Sequence, residues 1–201
     1  GRQRCLAEAL VIASFLSIQD PRERPADRTE AADQAHATFA DPRSDFVTVL
    51  NLWGAAREQA ASGNRTLRRW CKEHFLSFLR MREWQDVYRQ LKQVCHELGW
   101  QENTEPARYE EIHKAILAGL LSHVAMKDEL KGYTAARNRT VQIFPGSACN
   151  QRKPKWIVAA EIVETQKVYA RTVARIEPQW VEEVGADQLK KTWFEPHWEK
   201  K

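Results

Sequence analysis

From the start of the chain to about Leu120 the apolar residues recur every three to four positions; beyond it they alternate. The first spacing is that of helices and the second that of strands. Cys5, Leu6, Leu10, Ala13 and Leu16 form the stripe of a first helix, broken near Ile18 by Gln19-Asp20-Pro21. A second helix is predicted over Arg28 to Phe39. Ser44 is placed to cap a third over Asp45 to Ala61, with Phe46, Val49, Leu50 and Trp53 on one face. Ser62-Gly63-Asn64 closes it and opens a short helix, Arg65 to His74. A long helix runs from Ser77 to Leu98, with apolar Leu79, Trp84, Val87, Leu91, Val94 and Leu98 at helical spacing, and stops at Gly99. The last of this series follows Pro106, with Tyr109, Ile112, Ile116 and Leu120 inward.

The alternating region predicts five strands: His123 to Lys127, Tyr133 to Arg137, Thr140 to Phe144, Lys155 to Val163 and Lys167 to Ile176. Turn signals lie between them at Lys131-Gly132, Asn138, Pro145-Gly146 and Glu164-Thr165. A short helix, Pro178 to Val184, follows. Five short strands in so few residues suit either an OB-type or an SH3-like barrel. The expected fold class is therefore α+β: an all-α body, then a small five-stranded barrel. The division falls as residues 1–103, then 104–185 with its leading helix packed between, then 186–201 as the start of a further region. The stripe at Cys5 has no cap ahead of it, and the aromatic run Trp193 to Trp198 stops short of an element. Both suggest a piece of a longer protein.

Composition narrows the class. The chain has 201 residues, 43% of them hydrophobic and 29% charged, as soluble proteins do. Its greasiest run, Leu10 to Leu16, is far below the roughly 20 residues that span a bilayer, so no membrane partner is expected. Cys5, Cys71, Cys95 and Cys149 form no CxxC, which points to reduced thiols and a cytoplasmic setting. The sequons at Asn64 and Asn138 are then accidental. From Lys127 to Lys155 seven Lys/Arg face Asp128 and Glu129, a net +5, whereas the whole chain carries +4. A basic β-module on a nearly neutral helical body reads as a nucleic-acid accessory unit.

Catalytic motifs are missing. The eight glycines are too dispersed for a P-loop or a dinucleotide fingerprint, and no GxSxG or HExxH occurs. Cys71, His74, Cys95 and His96 are the best metal ligands, but buried thiols and surface imidazoles explain them better. Glu110-Glu111 and Glu182-Glu183 are read as carboxylates favouring helix N-termini. No catalytic, cofactor or metal residue is expected. The last strand sets Lys167, Tyr169, Arg171, Val173 and Arg175 in one row and Val168, Ala170, Thr172, Ala174 and Ile176 in the other. The first row mixes cations with an aromatic, as a strand-tracking surface does, although an ordinary solvated face explains it equally well. The loop Asn150 to Lys155 and the pair Arg137/Arg139 add charge from other segments. The candidate nucleic-acid contacts are Arg137, Arg139, Arg152, Lys153, Lys155, Tyr169 and Arg171, with Ser147 as a hydrogen-bonding neighbour.

Several of these segments together resemble the C-terminal part of a DEAH-box RNA helicase of the bacterial HrpA type. Cys5 to Ala13, Leu16 to Pro21, Ala32-Asp33 through Ser44-Asp45-Phe46, Leu50 to Trp53 and Trp70 to Leu76 are similar to that family's ratchet-like helicase-associated domain. Ile112 to Leu120, Tyr133-Thr134, Trp156 to Val158, Glu161 to Thr165, Tyr169 to Arg171 and Glu177 to Trp180 resemble its OB-fold. Phe194 to Trp198 looks like the start of the extra C-terminal region of such proteins. One departure stands out: Phe144-Pro145-Gly146-Ser147 replaces the His-Pro-Ser-Ser of many members. The resemblance implies upstream RecA-like and winged-helix domains in the same chain and single-stranded RNA as the ligand. It also implies a regulatory protein received on the OB surface, with ATP and Mg2+ bound by the parent rather than by this fragment. The alternative is a protein-docking module that binds no RNA directly.

Overall fold

The computed structural model describes residues 4–130 and 132–186. Gly1 to Gln3, Lys131 and the expected C-terminal region from Asp187 onward lie outside the described residues. Helices α1 (Leu6–Leu16), α2 (Thr29–Ala37), α3 (Asp45–Ala61), α4 (Asn64–Glu73) and α5 (Phe78–Glu97) form the helical part, and α6 (Tyr109–Leu120) leads into the sheet. Strands β1 (Val124–Asp128), β2 (Gly132–Ala135), β3 (Arg139–Ile143), β4 (Trp156–Glu164) and β5 (Val168–Arg175) close a barrel in the order β1-β2-β3-β5-β4. All pairings are antiparallel except that of β3 with β5. Helix α7 (Pro178–Val184) packs on α6. Every expected element is present, with ends shifted by up to a few residues.

Helix α1 is not the one-sided helix its stripe suggested. Val11 and Phe15 join the helical core while Cys5 and Ile12 join a second core against the barrel, and Leu16 is exposed. A helix covered on two sides needs apolar residues around most of its girth. Trp84 is wholly buried because its indole N–H donates to the Val11 carbonyl (3.2 Å) and to Ser14 Oγ (3.0 Å). Phe15 and Trp53 pack against it with ring centroids 5.1 and 4.8 Å away. The apolar positions of α5 do not share one buried face: Trp84 is wholly buried, Leu79 is exposed at the start of the helix, and Val94 and Leu98 are exposed where α5 runs on past Tyr88. Gly99 does end that helix: at φ +74° it lets the Trp100 N–H reach back to the Cys95 carbonyl (2.9 Å).

The barrel interior is lined by small residues, with Ala125, Ala135, Ala159 and Ala170 beside Val141, Ile157 and Val173. Tyr133 fits because its hydroxyl donates to the Pro154 carbonyl (2.8 Å). The two-row reading of β5 fails at Thr172, whose φ of +51° breaks the alternation. Val168, Ala170 and Val173 face the barrel core, while Ala174 and Ile176 face the helices. Among titratable pairs, Glu182-Glu183 sits in the last turn of α7 rather than the first, and Glu183 pairs with Lys114 (2.5 Å). Cys71 is buried, His74 Nδ1 donates to the Trp70 carbonyl (2.9 Å), and Cys95 lies far along α5.

Candidate nucleic-acid interface

Strand β3 divides the sequence-derived cations. Arg137 and Arg139 sit at its start, on a tight turn where Arg137 and Asn138 adopt left-handed backbone (φ +60° and +55°). Arg137 is exposed with no ion pair among the described residues. Arg139 pairs with Glu164, a half-exposed contact of little energetic weight that an RNA phosphate could replace. The loop Phe144 to Lys155 leaves the other end of β3 and carries exposed Arg152, Lys153 and Lys155. The cations thus occupy both ends of one strand instead of a single row.

Arg152 and Lys155 meet two further cations outside the set expected from the sequence. Arg43, from the loop ahead of α3, and Arg175, at the end of β5, line with them an open cleft of about 620 Å³. Trp156, Pro178 and Gln179 form part of its wall, and Glu177 is its one carboxylate. Arg175 pairs with Glu177 (2.7 Å) and Arg43 with Asp41 (3.3 Å), whereas Arg152 and Lys155 have no described acidic partner. Arg43 was hidden because it reads as linker before a capping serine; only the fold carries it to the barrel.

Arg171 and Tyr169 belong to a second grouping. The Arg171 guanidinium lies 4.5 Å over the Phe144 ring, and Tyr169 meets that ring edge-on at 5.9 Å. Phe144 is 36% exposed. Gly146 gives it room, since a Cβ there would stand 3.0 Å from a Phe144 ring carbon. A part-open ring with a cation on one face is the chemistry of base stacking.

Ser147 is not on this surface. It is buried, and its hydroxyl donates to Asp45 Oδ2 (2.6 Å). The Val173 N–H donates to the same oxygen (2.7 Å) and the Ala148 N–H to Oδ1 (2.9 Å). Burial pushes the Asp45 carboxyl up from its ordinary range, and these three donors pull it back. A carboxylate in the first turn of α3 thereby fixes both the β3–β4 loop and the kink in β5. Beside it, Ser44 caps α3 by accepting from the Val47 N–H (3.2 Å) and reaches His113 Nε2 (2.7 Å). His113 Nδ1 must donate to the Tyr109 carbonyl (2.6 Å), so Nε2 is the unprotonated nitrogen and accepts from Ser44. Burial holds His113 down to about 4. Tyr109 stacks on that imidazole at 3.8 Å, and its hydroxyl lies 3.0 and 2.8 Å from the Arg43 and Arg175 carbonyls. The cleft is thus built on a buried seam of hydrogen bonds between helices and barrel.

A helical body is joined through this seam to a cation-bearing five-stranded barrel, and two family matches fall on these two parts. Residues 1–49 match the helicase-associated domain (HA2), ratchet-like, and residues 112–187 match the oligonucleotide/oligosaccharide-binding (OB)-fold family. The chain is 50% identical over 198 residues to the ATP-dependent RNA helicase HrpA of Escherichia coli strain K12, covering 98% of this chain and 15% of that protein. It is 46% identical to the HrpA homolog of Haemophilus influenzae, with the same coverage. Against the pre-mRNA-splicing factor ATP-dependent RNA helicase prp22 of Schizosaccharomyces pombe the identity is 29%, over 94% of this chain and 16% of the relative. The chain belongs to the HrpA-type helicase family, as its C-terminal ratchet-like and OB-fold region. It spans about 15% of the length of the HrpA relatives it matches.

Proposed function

We propose that this region guides single-stranded RNA for an ATP-driven helicase in the cytoplasm, with residues 1–103 as the ratchet-like domain and 104–185 as the OB unit. The convergence of Arg43, Arg152, Lys155 and Arg175 on one cleft with a single carboxylate carries the reading. Arg171 on Phe144, beside Tyr169, supplies a base platform near the same loop. Phosphates held by several cations release counterions, so the grip is sequence-tolerant and lets a strand slide. The chain's dispersed glycines do not fit a nucleotide-phosphate cradle. ATP and Mg2+ accordingly belong to RecA-like domains elsewhere in the parent chain, and no step of hydrolysis runs through these residues.

The test is fluorescence anisotropy of a labelled single-stranded RNA with the 201-residue chain. Contact with four phosphates gives a slope of log K against log salt of about −2.8. Arg152→Glu/Lys155→Glu weakens binding at least about tenfold. No saturable binding at low salt, or an unchanged Kd in the variant, refutes the reading. Arg137→Glu/Arg139→Glu, exposed at the far end of β3, measures how far the strand extends beyond the cleft.

A further inference from the structure

Helix α4 is sharply divided between a buried and a charged face. Leu67, Trp70 and Cys71 are buried, while Arg65, Arg68, Arg69 and Lys72 are all exposed. Those four stand at i, i+3, i+4 and i+7, one straight ridge about 10 Å long. Residues 57–92 carry a net +5, equal to the barrel window, yet the chain's total of +4 conceals it. Among the described residues Glu73 is the ridge's one ion-pair partner, 3.9 Å from Arg69 across two solvated side chains. Arg57 and Arg82 continue the positive surface into the groove beside Asn64, where Arg82 donates to Asn64 Oδ1 (3.0 Å).

Such a ridge works against its own helix. Like charges three and four apart repel, and Arg65 sits in the first turn, where the helix dipole disfavours a cation. A polyanion removes both penalties. Among the described residues the ridge offers no open aromatic face: Trp70 is buried, and the Phe78 ring is roofed by the Arg68 guanidinium at 4.7 Å. Bases of a single strand would find nothing there to stack on. A duplex keeps its bases paired and presents one charge per about 1.7 Å of axis, twice the density of either strand alone. We propose that α4 is a second nucleic-acid contact, which takes the phosphate backbone of double-stranded RNA while the barrel cleft takes a single strand.

The experiment compares an RNA duplex of about 20 base pairs with a single strand of equal length, using the 201-residue chain. Arg65→Gln/Arg69→Gln weakens duplex binding about tenfold and flattens its salt slope by about 1.8, at roughly 0.9 per lost phosphate. Arg65→Lys/Arg69→Lys keeps the charge and retains the slope. Single-strand affinity changes less than about twofold in either variant. The proposal is overturned if the Gln variant binds duplex as the parent does, if Lys and Gln variants lose it equally, or if polyglutamate displaces the ridge-bound duplex as well as free duplex does. Arg152→Glu/Lys155→Glu supplies the converse: losing single strand but keeping duplex separates the two sites, and its failure to lose single strand sinks the cleft reading while leaving the ridge standing.

Discussion

The helical part and the barrel solve the same packing problem with opposite materials. The helical core is built from rings, with Phe15, Phe39, Trp53, Trp70 and Trp84 in one cluster. The barrel core is mostly alanine and β-branched residues around a single tyrosine. Helices pack 8–10 Å apart and leave room for indoles, whereas five strands closed on themselves leave a narrow bore. The difference extends to the surface. The barrel's cations ride on turns with left-handed residues, Arg137, Asn138 and Lys153, while the helical cations of α4 stand in regular register. One region holds charge on shaped loops beside an aromatic ring, the other on a straight bare rod, and it is on this difference that the two proposed nucleic-acid contacts rest.

The contrast breaks most visibly at the cores. Trp84→Ala empties the centre of the ring cluster and strands the acceptors at Val11 and Ser14. A loss of about 4 kcal/mol is expected in denaturant unfolding. Val141→Ala in the barrel removes two methyl groups from a fully buried site and costs about 2 kcal/mol. Equal losses would show that bore and bundle are not packed differently after all.

Acid sharpens the view of the seam between them. His113 is neutral when folded, held to about 4 against 6.5 for the free side chain. Between those values the unfolded chain binds a proton that the folded chain refuses, so stability falls as pH drops from about 6.5 to about 4. The full loss is about 3 kcal/mol. Asp45 acts in the opposite sense: its carboxyl is raised by burial, so the folded chain takes up a proton first and its contribution improves as pH falls. Melts recorded from pH 7 to 4 with His113→Gln separate the two, because that variant loses the decline and keeps the carboxylate's share.

Asp45→Asn tests the seam without a change of pH. The amide can still accept one N–H, but its nitrogen faces two donors, the Val173 N–H and the Ser147 hydroxyl. About 2 kcal/mol should be lost, and single-strand RNA affinity should fall severalfold as the loop carrying Arg152 and Lys155 loosens. Parent-like affinity with the same stability loss would show that the loop keeps its place without the carboxylate.

Local periodicity made the elements legible, because helix and strand spacing is written in neighbouring residues. All five strands and seven α-helices of the described residues could be read, with α3 and α7 bounded as observed. What escaped depends on contacts distant in sequence. Asp45 and Val173 are 128 residues apart, so nothing near Ser147 signalled that its hydroxyl was committed inward. Arg43 joined the cleft only through the turn ahead of α3. The α4 ridge was legible in principle, as Arg65-x-x-Arg68-Arg69-x-x-Lys72. Summing charge over the rest of the chain concealed it. Val94 and Leu98 keep helical spacing yet stay exposed, because apolar spacing specifies a face without specifying that anything covers it.

The smallest effect bears on the kink itself. Thr172 is β-branched and held at φ +51°, a conformation that costs an L residue about 1–2 kcal/mol. The strain persists because the shift in alternation it produces sends Val173 into the barrel core and its N–H toward Asp45, while Ala174 turns to the helices. Glycine adopts this backbone freely but loses more entropy on folding, so Thr172→Gly should gain only about 0.5 kcal/mol, read from urea unfolding. Thr172→Val keeps the branching and should give no such gain. If glycine instead destabilises by 1 kcal/mol or more, the threonine side chain contributes packing that outweighs its strain. The kink would then be imposed from the barrel side and not by the carboxylate of α3.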